Sequence, residues 1–100
     1  MKPAALIIEA EYYPLDLLSQ LEVKVSITKS NAVTQDQLRS DLLLHNSEIL
    51  FCGLGINIDE SLLGLVTNIK YVVSPATGTN HLDISYLNSR NIKLIHLGDF

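Results

Sequence analysis

Five short apolar runs, set apart by helix-like segments, constrain this chain more than any other feature. Residues 5–9, 23–28, 48–52, 70–74 and 92–96 are rich in Ile, Val, Leu, Phe and Tyr. They read as near-continuous apolar stretches rather than as in/out alternation, the pattern of parallel strands covered on both faces. Between them Pro14 suits a first helical position, with Leu17, Leu18 and Leu21 then falling on one face. Thr34 and Gln37 have the spacing of a capping box ahead of a Leu38, Leu42, Leu43 stripe. Asp59 can cap a third helix carrying Leu62, Leu63 and Val66. Asp83 can cap a fourth that turns Ile84, Tyr86 and Leu87 inward, and Asn91 stands where a left-handed C′ residue is wanted.

The resulting βαβαβαβαβ alternation, with right-handed crossovers, predicts an α/β fold. The expected form is a flavodoxin-like, doubly wound, five-stranded parallel sheet of order 2-1-3-4-5 in three α/β/α layers. Ligands of such sheets bind beyond the carboxyl ends of the strands, here residues 9–13, 28–31, 53–57, 74–81 and 97–100. After the last run the chain reads His96-Leu97-Gly98-Asp99-Phe100, with no closing helix. One face of the fifth strand and its neighbours is therefore expected to be under-covered. Either something else supplies that helix, or residues 1–100 are one segment of a longer protein.

One hundred residues suit a single domain. With 47% hydrophobic and 18% charged residues the chain is too apolar to be disordered. Seven basic residues, spread out within a net charge of −4, give no electrostatic ground for nucleic acid as a partner. No apolar run approaches the roughly 18–20 residues that span a bilayer, so no membrane partner is expected. Residues 4–8 are too short for a signal h-region and are followed by Glu9 and Glu11. A single cysteine, Cys52, excludes an internal disulfide, and the expected location is cytoplasmic. Cys52 closes an apolar run and reads as core filler. No internal repeat, low-complexity tract or linker is visible.

The stretch YVVSPATGTNHLD, residues 71–83, joins a strand, a turn around Gly78 and a helix start. It has two readings. In one, Pro75 ends a strand, Gly78 turns the chain and Asp83 caps a helix. In the other, bare main-chain N–H groups there hold a carboxylate or phosphate, with Thr77, Thr79, Asn80 and His81 adding side-chain donors. Gly53-Leu54-Gly55 begins like the dinucleotide fingerprint G-x-G-x-x-G, but the third glycine position is Ile58. A β-branched residue there blocks the close helix–strand packing that the glycine permits, so a tight turn lining the same crevice is the expectation. His81 could touch a ligand, though loop histidines are more often surface or capping residues. His45 near a helix end suits the helix dipole, and His96 ends a strand. Their separation has no metal-ligand spacing, and no metal is expected. Glu9 and Glu11 follow the first strand as the acidic pair of a phospho-receiver does. Cys52-Gly53 and His96-Leu97, however, stand where a receiver needs its aspartate and lysine.

Residues 70–83, KYVVSPATGTNHLD, continue through Leu87 to Asn91-Ile92-Lys93-Leu94-Ile95. This sequence resembles the N-terminal region of the D-isomer-specific 2-hydroxyacid dehydrogenases. There a Leu-Lys-headed apolar strand, a loop of form xxxGxxxID, a helix and a strand opening Arg-Gly-Ile follow one another. Residues 48–65 resemble that family's third strand and helix, and the likeness covers essentially the whole chain, less closely before Glu48. Leu82 replaces the usual Ile and Asn91 the usual Gly.

The resemblance implies that residues 1–100 form the N-terminal substrate-binding domain segment of a two-domain enzyme. Its Rossmann NAD-binding domain is expected to lie outside this segment. Main-chain amides at Thr77 and Gly78 would hold the substrate carboxylate. Thr79, Asn80, Leu54 and Gly55, with Ile56, would line the cleft. The full-length protein would be an NAD(P)-dependent oxidoreductase acting on the CH–OH group of a D-2-hydroxy acid, and a homodimer. The family's catalytic arginine, acidic residue and histidine belong beyond residue 100. The isolated chain is accordingly expected to hold no catalytic residue, bind neither NAD nor NADP, and be inactive. The competing expectation is a non-enzymatic flavodoxin-like binding or protein-interaction module, its uncovered fifth-strand region masked by a partner or a second copy.

Overall fold

The computed structural model describes residues 2–75 and 81–96. Its strands are β1 (Ala4–Ile7), β2 (Ser26–Lys29), β3 (Ile49–Phe51), β4 (Tyr71–Ser74) and β5 (Lys93–His96). The helices are α1 (Leu15–Leu21), α2 (Gln35–His45), α3 (Glu60–Leu63) and α4 (Ile84–Ser89), and a 3-10 turn at Ala10–Tyr12 precedes α1. The strands form one parallel sheet in the order β2-β1-β3-β4-β5, as the apolar runs predicted.

The sheet faces carry different helices. On one, Leu6, Ile8, Leu50, Cys52 and Val72 pack under Leu38 and Leu42 of α2, Leu62 and Leu63 of α3 and Leu87 of α4. On the other, Ala5, Ile7, Phe51 and Val73 meet Leu18 of α1 and Tyr13. The Tyr13 ring stands edge-on to Phe51, centroids 5.7 Å apart. Among the described residues α1 alone covers this second face. An apolar groove of about 290 Å³ therefore runs beside Leu17, Leu21, Ile49, Tyr71 and Ile95. That is the under-covered region expected next to β5.

The capping residues act as read. The Thr34 hydroxyl accepts from Gln37 N–H at 3.2 Å, Asp59 from Leu62 N–H at 3.2 Å and Asp83 from Tyr86 N–H at 3.0 Å. Gln37 Oε1 accepts from Val33 N–H rather than from Thr34, one residue outside a true capping box. Asn91 has φ 58°, the left-handed C′ residue expected after α4. Four details differ. Residues 23–25 are a turn, not strand: Lys24 and Val25 N–H both donate to Leu21 O, closing α1 and leaving Val23 72% exposed. Pro14 is extended and caps α1, so Leu15 is its first residue. Leu43 is 48% exposed because it lies a hundred degrees around α2 from Leu42. Ile84, at the first position of α4, faces solvent for the same angular reason, and Leu87 alone is fully buried there.

The rows of strand residues also depart from uniform burial. β1, β3 and β4 are almost wholly buried, whereas β2 and β5, at the sheet edges, are half open.

Candidate functional site

The carboxyl ends of β1, β3 and β4 come together on one rim. A doubly wound sheet opens its crevice where the strand order reverses, here between β1 and β3. The residue after buried Ile8 at that point is Glu9, in a left-handed conformation (φ 50°, ψ 52°). This backbone turns its side chain across the end of β3, where Oε2 accepts from Leu54 N–H at 2.9 Å. The crowding there explains Gly53, whose added Cβ would lie 2.8 Å from Glu9 Cβ, and bears more lightly on Gly55, which meets only the movable end of that side chain. A Cβ on Gly53 would collide with the Glu9 carboxylate, and one on Gly55 would lie 2.8 Å from Oε1. The turn at residues 53–55 thus lies against the half-buried Glu9 carboxylate. Ile58, at the third fingerprint position, is fully buried, and α3 starts only at Glu60. A dinucleotide phosphate does not fit this turn.

Tyr13 locks the same loop from beneath. Its hydroxyl lies 2.5 Å from Cys52 O and 2.9 Å from Val73 O, so one proton serves the ends of both β3 and β4. Burial holds the phenol far above its ordinary range, and Cys52 and Glu9 push the same way. The Cys52 thiol is pushed up to about 12, mainly by burial and further by Glu9, against a lowering from Ser74. It is a neutral, inert thiol.

His81 is 8% exposed, contrary to its reading as a surface or capping residue; the cap of α4 is Asp83. Its Nε2 lies 3.4 Å from Ser74 Oγ and 3.8 Å from Cys52 Sγ. Burial lowers its pKa, the charge of His96 adds to that, and Glu9 opposes it. The imidazole therefore favours its neutral form, set against the ends of β3 and β4. Immediately after it, Ile58 and Leu82 form an isolated parallel bridge: Ile58 N–H donates to His81 O at 2.7 Å and Asp83 N–H to Ile58 O at 3.0 Å. The loops after β3 and β4 are in this way stitched to each other.

Of the residues singled out in the sequence, Leu54 and Gly55 stand exposed on this rim, Leu54 at 42%. Thr77, Gly78, Thr79 and Asn80 lie outside the described residues. Glu9, Tyr13 and Ser74 fall within the strand-end ranges 9–13 and 74–81 read from the sequence, which gives none of them an individual part in holding a substrate. The signal for Glu9 was the Gly-x-Gly turn itself, which needs a reason for its glycines; Tyr13 carries no local signal. A larger concavity, about 480 Å³, lies elsewhere, between the end of β2 and α2, where Ser30 donates to Asp41 at 2.5 Å. Among the described residues no three His, Cys, Asp or Glu side chains gather as a metal site, and no helix is long and apolar enough to cross a membrane.

Comparison with known proteins follows the same lines. Residues 5–99 match the family model described as "D-isomer specific 2-hydroxyacid dehydrogenase, catalytic domain". The chain is similar to an erythronate-4-phosphate dehydrogenase of Legionella pneumophila, 38% identical over 53 residues, covering 53% of this chain and 15% of that protein. The same enzyme of Shewanella sediminis is 29% identical over 68 residues, covering 68% of this chain and 16% of that one. This chain thus spans 15–16% of the length of the curated relatives that it matches. Among solved structures, a glyoxylate reductase from Paecilomyes thermophila superposes with a TM-score of 0.78 at 13% identity, covering 95% of this chain and 32% of that one. A phosphoglycerate oxidoreductase from Vibrio Cholerae o395 gives 0.73 at 18% identity, covering 96% and 31%. At such identities the structural likeness is one of fold.

Proposed function

The chain belongs to the D-isomer specific 2-hydroxyacid dehydrogenase family, and on that premise we propose that it is the substrate-binding segment of an NAD(P)-dependent 2-hydroxyacid dehydrogenase. The full-length enzyme interconverts a D-2-hydroxy acid and its 2-oxo acid, with hydride exchanged between the nicotinamide and C2. The observation that carries this reading is the family match over residues 5–99, on a sheet whose β3 and β4 ends are knit into one rim. The described turn at residues 53–58 does not fit a dinucleotide, so NAD or NADP is assigned to a domain outside residues 1–100. The chain's own part is to bind and orient. Main-chain amides at Thr77 and Gly78, flanked by Thr79 and Asn80, take the substrate carboxylate, with Leu54 and Gly55 on the facing wall. The neutral His81 and the Tyr13 hydroxyl hold the ends of β3 and β4 in register beneath it. A cytoplasmic location and a homodimer made through the cofactor domain complete the proposal.

The experiment is a steady-state assay of the full-length protein with NADH and NADPH against a panel of 2-oxo acids, run beside residues 1–100 alone. Cofactor oxidation by the full-length protein and none by the isolated chain is the expected result. Turnover by the isolated chain, or none by the full-length protein with any 2-oxo acid, overturns it. The alternative, a non-enzymatic interaction module, is favoured by the open apolar groove on the β3–β5 face. A full-length protein that binds no nicotinamide cofactor would favour that alternative.

A further inference from the structure

The cavity of about 480 Å³ between the end of β2 and α2 has a lining that the proposed reaction leaves unused. One wall is the segment that leaves the edge strand, Lys29 to Ala32, and the other is the α2 face carrying Gln37, Asp41 and His45. Those three stand four positions apart, so they line up along one side of the helix over about 12 Å. The two walls are tied together. Ser30 donates to Asp41 Oδ2 at 2.5 Å, and its oxygen accepts from Ala32 N–H at 3.1 Å. Gln37 Oε1 accepts from Val33 N–H at 2.9 Å. These bonds fix the Asp41 carboxylate and the Gln37 amide in orientation. Among the described residues they leave Asp41 Oδ1 and the Gln37 NH2 group without a partner.

The charges of the lining are unmatched as well. Among the described residues neither Lys29 nor His45 makes an ion pair, and the one bond to the Asp41 carboxylate comes from a neutral hydroxyl. The cavity therefore presents a cation and an anion at once, with further donors on Asn31, Gln37 and the His45 ring. An anionic ligand meets Asp41 and a cationic one meets Lys29, each a like-charge contact. A sugar or nucleobase ring finds no Phe, Tyr or Trp in the lining to stack on, and Ala32 is its one apolar residue among those described. What matches is a small polar molecule of no net charge that carries one carboxylate and one ammonium.

We propose that the cavity between β2 and α2 is a binding site for a free α-amino acid with a polar, uncharged side chain. The ammonium pairs with Asp41, the carboxylate with Lys29 and His45, and the side chain with the Gln37 and Asn31 amides. The volume is within the range of small-molecule sites, about 300–1,000 Å³. Occupancy of this site is independent of the reaction proposed for the full-length protein.

The test is a titration of the labelled full-length protein with L-glutamine, read by amide shifts. Beside it run N-acetyl-L-glutamine, which lacks the ammonium, and L-glutamine α-amide, which lacks the carboxylate. L-glutamine is expected to give saturable shifts at Ser30, Asn31, Ala32 and Asp41, and each blocked compound to bind about tenfold or more weakly. Asp41→Asn keeps an acceptor for the Ser30 hydroxyl and removes the charge. It should weaken L-glutamine by about tenfold and abolish the preference for it over the N-acetyl compound. Lys29→Gln, at an exposed side chain of the edge strand, should abolish the preference over the α-amide, and it carries the test if Asp41→Asn does not fold. A merely structural role for either residue would lower all three affinities together and leave those preferences standing. No saturable shift at this cavity with L-glutamine, equal affinity for the three compounds, or preferences that the folded variants leave unchanged overturns the inference.

Discussion

Tyr13 and His81 each join segments far apart in the chain, and their chemistry sets how stability responds to conditions. The Tyr13 hydroxyl serves two strand ends, and Tyr13→Phe keeps the ring on Phe51 while removing that bond. Loss of about 1–3 kcal/mol, with the urea slope unchanged, is expected in equilibrium unfolding. The pH limits follow from the direction of each shift. His81 has a lowered pKa when folded, so the unfolded chain takes up its proton first. The stability that neutral His81 contributes is present above about 6.5 and is lost as pH falls through the folded value. Cys52 is shifted upward, so its contribution is complete below about 8.5, the ordinary thiol value, and is lost as pH rises toward about 12, with Tyr13 acting in the same sense. Melting temperatures across this range should fall at both ends. Cys52→Ala should flatten the alkaline limb, and His81→Gln the acid one. An alkaline limb unaltered in Cys52→Ala would show that the thiol is not its source.

At the scale of elements, what the sequence exposes and what it hides divide along a physical line. Caps depend on residues three apart, so Thr34, Asp59 and Asp83 could be read directly and do what their spacing says. Strand order followed from the alternation of runs because crossover handedness leaves few options. The limits of β2 and the outward turn of Leu43 and Ile84 depend on which helix face meets the sheet, which no local window contains. The site divides in the same way. Leu54 and Gly55 could be placed on the rim from the strand–turn–helix pattern. Glu9 reaches Leu54 across forty-five positions, and only the folded sheet puts them together. The C-terminal end of α4 offers a test at this scale. Asn91 holds φ 58° at a position suited to glycine, so Asn91→Gly should stabilise the protein by a few tenths to about 1 kcal/mol, measured as a rise in the denaturation midpoint. A fall would mean that the asparagine side chain contributes a bond that outweighs its backbone strain.

At the largest scale the described residues are asymmetric: three helices blanket one face of the sheet and one helix the other. Ile95, 40% exposed on the sparsely covered face, is the place to probe this. In the 100-residue chain, Ile95→Lys should change the unfolding free energy by less than about 0.5 kcal/mol while reducing self-association seen in sedimentation. A large loss of stability would show that the groove is closed in the isolated chain. The strand registers carry a different consequence. Ala4 pairs with Ser26, Ile49 with Tyr71 and Tyr71 with Lys93, each 22 positions apart, while Ala5 pairs with Ile49 at 44. No two strands are joined by a hairpin, so nothing in the sheet can zip from a local turn. The central seam between β1 and β3 has to wait until residue 51 has left the ribosome, with β1 meanwhile bearing unpaired apolar surface. Refolding on the slow side for a domain of this size, milliseconds to seconds rather than microseconds, is the kinetic signature of such a layout.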